Sequence, residues 1–231
     1  MNIILIDTET ANNIAQPLCY DIGYIVYNTD TQEILVARSF VVAEIFLDKE
    51  MMSSAYYAEK CPRYWEDIKA GKRALKRAEN IRWQILKDME EFQVKDVYAY
   101  NMGFDKRSTN NGIRYITGSA IRWFFPYGTE FHCIWNMACT SILRSKWYIK
   151  FAEENGLVTE AGNLMTSAEA CYRYITKDMD FDEDHTGLED VLIELAIYEK
   201  IIKSRMKYDD SVKAGCWRVP QKRRKEIQEG D

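Results

Sequence analysis

The order of elements along the chain predicts an α/β fold, a mixed β-sheet flanked by α-helices. Three observations carry this. A short Ile/Leu-rich run opens the chain, two more β-like runs follow before any helix, and from about residue 73 helical spacings alternate with strand-like runs. The first run, Asn2 to Thr8, has the composition of a buried central strand. Tyr20 to Tyr27 and Ile34 to Val42 read as the next two strands, and the polar Asn28, Thr29 and Asp30 between them suit a turn, so an antiparallel meander is expected. From Arg73 onward, Leu75, Ala78, Ile81, Ile85, Met89 and Phe92 recur at gaps of three and four, one face of a long helix. Val97 to Tyr100 reads as a strand, and Phe131 to Trp135 as another before a helix through Met137 to Leu143. Glycines between Gly156 and Gly162 suit a small hairpin. Thr166-Ser167-Ala168-Glu169 has the capping-box pattern that starts a helix carrying Cys171, Tyr174 and Ile175. A second capping box, Thr186-Gly187-Leu188-Glu189, opens the last strong helix, with Leu188, Val191, Leu192, Leu195, Ile201 and Ile202 expected on its inner side.

With 231 residues, 47% hydrophobic and 29% charged, the chain has ordinary globular usage, which argues against a disordered or fibrous protein and favours one domain. No internal repeat, low-complexity tract or Pro/Gly/Ser-rich linker is visible. No apolar run approaches the roughly 18 residues a membrane helix needs, and the opening stretch has no basic lead-in, so a soluble, unexported, cytoplasmic protein is expected. The six cysteines lie far apart with no CxxC pair, which points to reduced thiols rather than zinc ligands or a disulfide framework. A net charge of −5 excludes a globally basic nucleic-acid binder, though bound cations or a local basic surface could still recruit a polyanion.

Chemistry-bearing residues concentrate at three places. Asp7 and Glu9 end the first strand at i and i+2, so their side chains share a face. Two carboxylates side by side disfavour joint ionisation unless a cation binds; a solvated strand end is the plain alternative. Asn101-Met102-Gly103-Phe104-Asp105 follows a strand, at the corner where open sheets place ligands, and reads equally as an Asn helix cap with Asp in the first turn. His185 and Asp190 bracket the start of the last helix and reach one site only if His185 sits on the entering loop. The other histidine, His132, has no ligand partner nearby in sequence and reads as structural.

Taken in order, Ile6-Asp7-Thr8-Glu9-Thr10, Asn101 to Asp105 and His185 through Asp190 resemble the three motifs of the DEDDh 3′–5′ exonucleases, the superfamily of the proofreading subunit of bacterial replicases. The resemblance spans residues 3 to about 200, and Asn155 to Ile175 looks like an insertion seen in phage-type members. It implies a ribonuclease-H-like fold with residues 1–205 as exonuclease domain, an insertion near 145–175, and 206–231 as a basic C-terminal tail. It also implies that Asp7, Glu9, Asp105 and Asp190 hold two divalent cations, Mg2+ or Mn2+, and that His185 deprotonates the attacking water, a task suited to an imidazole. Thr8, Thr10 and Phe104 match positions that approach the terminal nucleotide. The implied substrate is a single-stranded or frayed 3′ end, DNA favoured, with a DNA polymerase as candidate partner. The rivals are an exoribonuclease of the same superfamily and a non-catalytic binding or polymerase-tethering module. Two further segments mix aromatic and basic groups: Tyr56 to Trp65, which could stack bases or pack as a helix, and Lys222 to Lys225 near Trp217, which could hold phosphates or form a solvated terminus.

Overall fold

The structure, a computed structural model, describes residues 1–230. A six-stranded sheet has the order β4-β3-β2-β1-β5-β6. Its strands are β1 (Asn2–Ala11), β2 (Leu18–Asn28), β3 (Glu33–Val42), β4 (Ala74–Lys76), β5 (Asp96–Ala99) and β6 (Glu130–Cys133). β1, β2 and β3 are antiparallel neighbours, whereas β1 pairs with β5 and β3 with β4 in parallel, so the sheet is mixed. The β2-β3 turn forms as its composition predicts, with the Asn28 side chain accepting from the backbone N–H groups of Asp30 and Thr31 at 2.9 and 2.8 Å.

The chain divides into two compact units. The first holds Met1–Tyr98, Phe104–Phe131 and Asp184–Val191; the second holds Ala99–Gly103, His132–Glu183 and the chain from Leu192 onward. The first unit's core is built on β1, whose Ile3, Ile4 and Leu5 are fully buried together with Ile25 of β2 and Val97 of β5. After the short helices α1 (Ala43–Phe46), α2 (Lys49–Met52) and α3 (Cys61–Lys69), helix α4 (Ala78–Glu91) buries Ile81 and Ile85, the stripe expected from its spacing. That stripe begins later than the spacing implied. Leu75 lies in β4 opposite Val41, and the helix starts at Ala78, whose N–H donates to the Glu44 carboxylate at 3.0 Å. A three-residue strand is too short to show its own period against a helical one.

The second unit is helical, with α6 (Ile134–Thr140), α7 (Lys146–Glu154), α8 (Ala168–Thr176), most of α9 (Gly187–Ser204) and α10 (Arg218–Glu229). Helix α7, starting from the Ser145 cap, has no counterpart in the sequence reading. The cap of α8 is Ser167, whose hydroxyl accepts from Ala170 N–H, while the Thr166 hydroxyl is taken by the Trp135 indole N–H at 3.0 Å. Leu192 and Ile202, expected on the inner side of α9, are instead substantially exposed. The basic segment Lys222 to Lys225 is helical rather than a solvated terminus. In α10 the Gln221 amide pairs with both backbone groups of Leu164, and Arg224 bonds Glu153 at 2.7 Å. His132 bonds Asp210 at 2.9 Å. All six cysteines are free. Among the described residues, no helix is long and apolar enough to cross a membrane.

Candidate active site

The C-terminal half of β1 carries the first two carboxylates. Asp7 lies opposite Gly23 and Glu9 opposite Asp21 of β2, and the register slips between Glu9 and Thr10, a bulge of the kind that re-aims side chains at a strand end. The alternation puts Asp7 and Glu9 on one face and Thr8 on the other. Thr8 is buried, its hydroxyl donating to Asp105 Oδ1 at 2.9 Å and lying 2.8 Å from Ser108 Oγ. Asp105 sits in the first turn of α5 (Met102–Thr117), where a carboxylate is favoured. Burial pushes its carboxyl up to about 7 against the Thr8 hydrogen bond, which lowers it. Thr10 and Phe104 are half-buried, the Arg107 guanidinium lying 5.6 Å from the Phe104 ring centre.

His185 does reach Glu9 and Asp190. One oxygen from each carboxylate and one ring nitrogen of His185 all lie within 4.8 Å of one another. Burial raises the Glu9 carboxyl well above its ordinary range, Asp190, Asp21 and Asp105 add to the rise, and Lys60 opposes it. Such a group of donors could hold a cation. Asp7 shares the strand face of Glu9, and the repulsion between Asp105 and Glu9 adds to the rise of the Glu9 carboxyl.

What brings His185 there is a backbone crossing. Gly23 of β2 meets the start of α9 so closely that a Cβ on Gly23 would lie 2.1 Å from Gly187 C and from Leu188 N. A Cβ on Gly187 would lie 2.5 Å from Gly23 N. The neighbouring Asp21 is fully buried and fixes the crossing: it accepts from Gly187 N–H at 2.9 Å and from Tyr64 O–H at 2.6 Å, with Arg73 at 3.5 Å. Burial raises its carboxyl, while Arg73, Tyr64 and Gly187 pull it back. Arg73, itself buried, also binds Asp67, Ser39 and Glu189. The helix starts where the second capping-box pattern puts it, with Asp190 N–H on Thr186 O, but the Thr186 hydroxyl donates to the Glu189 carboxylate at 2.9 Å instead of accepting from a backbone N–H. Gly23→Ala is therefore expected to cost about 1 to 3 kcal/mol or more through overpacking. Thermal melting should show a fall of several degrees, and an unchanged melt would refute so tight a crossing.

The Tyr56 to Trp65 segment divides among roles. Tyr64 packs in the core against Tyr20 and Phe46. Tyr57 stacks on the His185 ring, centroids 4.4 Å apart and planes 12° from parallel. Lys60 donates to Asp184 O at 2.5 Å, and Arg63 forms a fork with the Asp184 carboxylate at 2.8 and 3.3 Å. His185 itself has φ of 48°, a left-handed conformation that non-glycine residues adopt rarely, so these contacts hold an otherwise disfavoured backbone. Sequence reasoning missed Asp21 and Arg73. The one available signal was a carboxylate in the middle of an otherwise apolar strand.

No protein-family model matches the sequence, and no curated protein matches it significantly. Solved structures do. The chain is similar to the nuclease domain of 3′hExo, a DEDDh family member bound to rAMP, at 12% identity and TM-score 0.55, covering 91% of this chain and 96% of that one. It is similar to the 3′-exonuclease of a structure on 3′-end-specific recognition of histone mRNA stem-loop, at 12% identity and TM-score 0.54, covering 93% and 88%. The E. coli Exonuclease I complex with a dT13 oligonucleotide matches at 14% identity and TM-score 0.51, covering 88% of this chain and 41% of that one. With its mixed sheet and flanking helices, the chain has the ribonuclease-H-like fold of the DEDDh 3′-exonucleases.

Proposed function

We propose that this chain is a metal-dependent 3′–5′ exonuclease hydrolysing phosphodiester bonds at single-stranded or frayed 3′ ends. The observation that carries this reading is the meeting of Glu9, His185 and Asp190, from segments far apart in sequence, within 4.8 Å of one another. Asp7, Glu9, Asp105 and Asp190 would hold two divalent cations, Mg2+ or Mn2+. The donors fit, since carboxylate oxygens suit hard cations and bound positive charge would offset the burial that raises Glu9 and Asp105 and the neighbouring carboxylates that raise Glu9 further. Such a pair, when bound, stabilises the attacking and leaving oxygens of an in-line displacement.

The chain's own part is placement and proton transfer. His185, its ring held flat against Tyr57, accepts the proton of the attacking water at a ring nitrogen. Thr8 orients Asp105 through its hydrogen bond. Thr10 and Phe104 remain the residues assigned to the terminal nucleotide, while the Thr8 hydroxyl is engaged with Asp105 and Ser108.

A time course on 3′- and 5′-labelled single strands, with and without Mg2+ or Mn2+, tests the reading. Stepwise shortening from the 3′ end, only with metal, is the expected result; internal cuts, or binding with no shortening, would overturn it. Matched DNA and RNA oligomers then sort the substrate, with DNA expected to be cut faster. Metal should also stabilise the fold by about 2.7 kcal/mol at 100 times its Kd, or about 5 to 10 °C in Tm for a chain of this size. An unchanged melt at millimolar metal would count against a converging carboxylate site.

A further inference from the structure

Beyond Asp105, the first unit contains an aromatic and cationic pocket that the catalytic cluster does not use. A cavity of about 290 Å³ is lined by Lys106, Asn110, Trp123, Phe125, Tyr127 and Phe131, among others. Its volume is at the small end of ligand pockets, about 300 to 1,000 Å³, a size for one nucleotide rather than a folded partner. The loop that forms it, between α5 and β6, is firmly held. Asn110 Oδ1 accepts from Phe124 N–H at 2.9 Å, Arg82 donates to Phe124 O at 2.7 Å, and Arg114 donates to Arg122 O at 2.9 Å. Yet this anchored loop turns its largest side chains outward: Trp123 is 57% exposed and Tyr127 is fully exposed. A loop clamped by three side chains that still presents aromatic rings to water has the form of a binding platform.

The polar groups indicate what binds. Residues 118–129 contain no carboxylate. The Lys106 ammonium lies 4.0 Å from the Phe131 ring centre and the Arg114 guanidinium 4.4 Å from that of Trp123. Among the described residues Lys106 has no carboxylate partner. Asn110 lines the cavity with its Oδ1 engaged by Phe124 N–H, which leaves its amide N–H groups as donors for an acceptor that enters the cavity. Rings for stacking, a cation for a phosphate and an amide for a base edge are together the recognition chemistry of single-stranded nucleic acid.

We propose that this pocket binds one nucleotide of a single strand outside the catalytic cluster. The base stacks on Trp123 and Tyr127, Asn110 meets its edge, and Lys106 pairs with a phosphate. Its position suits a strand that extends beyond the reacting end, because Lys106 directly follows Asp105 and Asn110 stands about 7.5 Å further along the helix axis. The choice of ligand rests on the nuclease reading, so the test separates the two.

Binding of a fluorescent 12-nucleotide single strand is measured in EDTA, where no cleavage is needed, and turnover of a dinucleotide is measured separately with Mg2+. Trp123→Ala and Lys106→Ala should each weaken binding of the long strand about tenfold, within the range for losing one base stack or phosphate contact. Trp123→Phe, which keeps a stacking face, should recover most of the affinity, and dinucleotide turnover should be unchanged in all three. Wild-type affinity in both alanine variants would overturn the pocket while leaving the nuclease reading standing. A wild-type chain that binds the strand and shows these losses but cleaves nothing would do the reverse. No binding of any strand would overturn both, and an affinity for free AMP equal to that for the 12-mer would overturn the assignment to a strand.

Discussion

Asp7→Asn and Glu9→Gln are expected to abolish cleavage while leaving the chain folded. Both changes are nearly isosteric and remove the charge that would hold a cation. The structure adds a thermodynamic signature that separates loss of chemistry from loss of fold. In metal-free protein the Glu9 carboxyl is raised well above its usual range and Asp105 is raised to about 7, both first by burial. A carboxyl with a raised folded-state pKa lowers stability as pH rises. Below about pH 4 both states are protonated and stability is complete; as pH rises the unfolded chain releases its protons first and stability falls, for Asp105 between about 4 and 7. Glu9→Gln cannot ionise. In EDTA at neutral pH it should therefore melt higher than wild type, and Mg2+ should raise its Tm less. Normal turnover by either variant would remove the carboxylate from the mechanism, and a Glu9→Gln melt below wild type would show that Glu9 serves the fold instead.

His185→Ala should lower single-turnover cleavage by about 10² to 10⁴-fold, the range for a positioned proton acceptor, or about 2.7 to 5.4 kcal/mol of transition-state stabilisation. Substrate affinity should change little, and the acidic limb of the pH–rate profile should change with the loss. The stack with Tyr57 gives a graded companion. Tyr57→Leu frees the imidazole to rotate and should lower the rate without altering Kd, whereas Tyr57→Phe keeps the ring face and should stay near wild type. Melting temperature and rate measured on one preparation decide the matter. A purely structural histidine would give a lower melt with nearly normal rates, and cleavage within a few-fold of wild type would exclude His185 as the base.

The strands of the meander and the long helices were legible because each announces itself locally, through alternation, a Val/Ile/Leu run or a 3.6-residue stripe. The three motifs were legible for the same reason, each being a short segment beside a strand or helix end. That His185 reaches Glu9 was foreseeable only in part, from a helix start just after Thr186 that leaves the histidine on the entering loop. The agents that place it were hidden. Asp21 and Arg73 stand 52 residues apart in a contact no periodicity encodes, and Tyr57 was open between stacking a base and packing in a helix because an aromatic ring does not state which partner it faces. Lys222 to Lys225 misled for the opposite reason. A charged run has no inward stripe to reveal the docking of α10, in which the uncharged Gln221 pairs with the Leu164 backbone.

The Gly23–Gly187 crossing also bears on how such a protein tolerates change. In a random library screened for loss of nuclease activity, Gly23 and Gly187 should be recovered as often as the acidic residues, although neither has a side chain to offer a substrate. Their lesions would differ in kind. Carboxylate variants should accumulate as soluble, inert protein, whereas variants at the crossing should be depleted by cellular proteases before their chemistry could be assayed. Abundance measured beside activity would thus divide one list of inactive clones into two. A substitution that restores a crossing variant would be sought on the opposite backbone, where only a change that opens space, or a shift of the whole helix start, could make room.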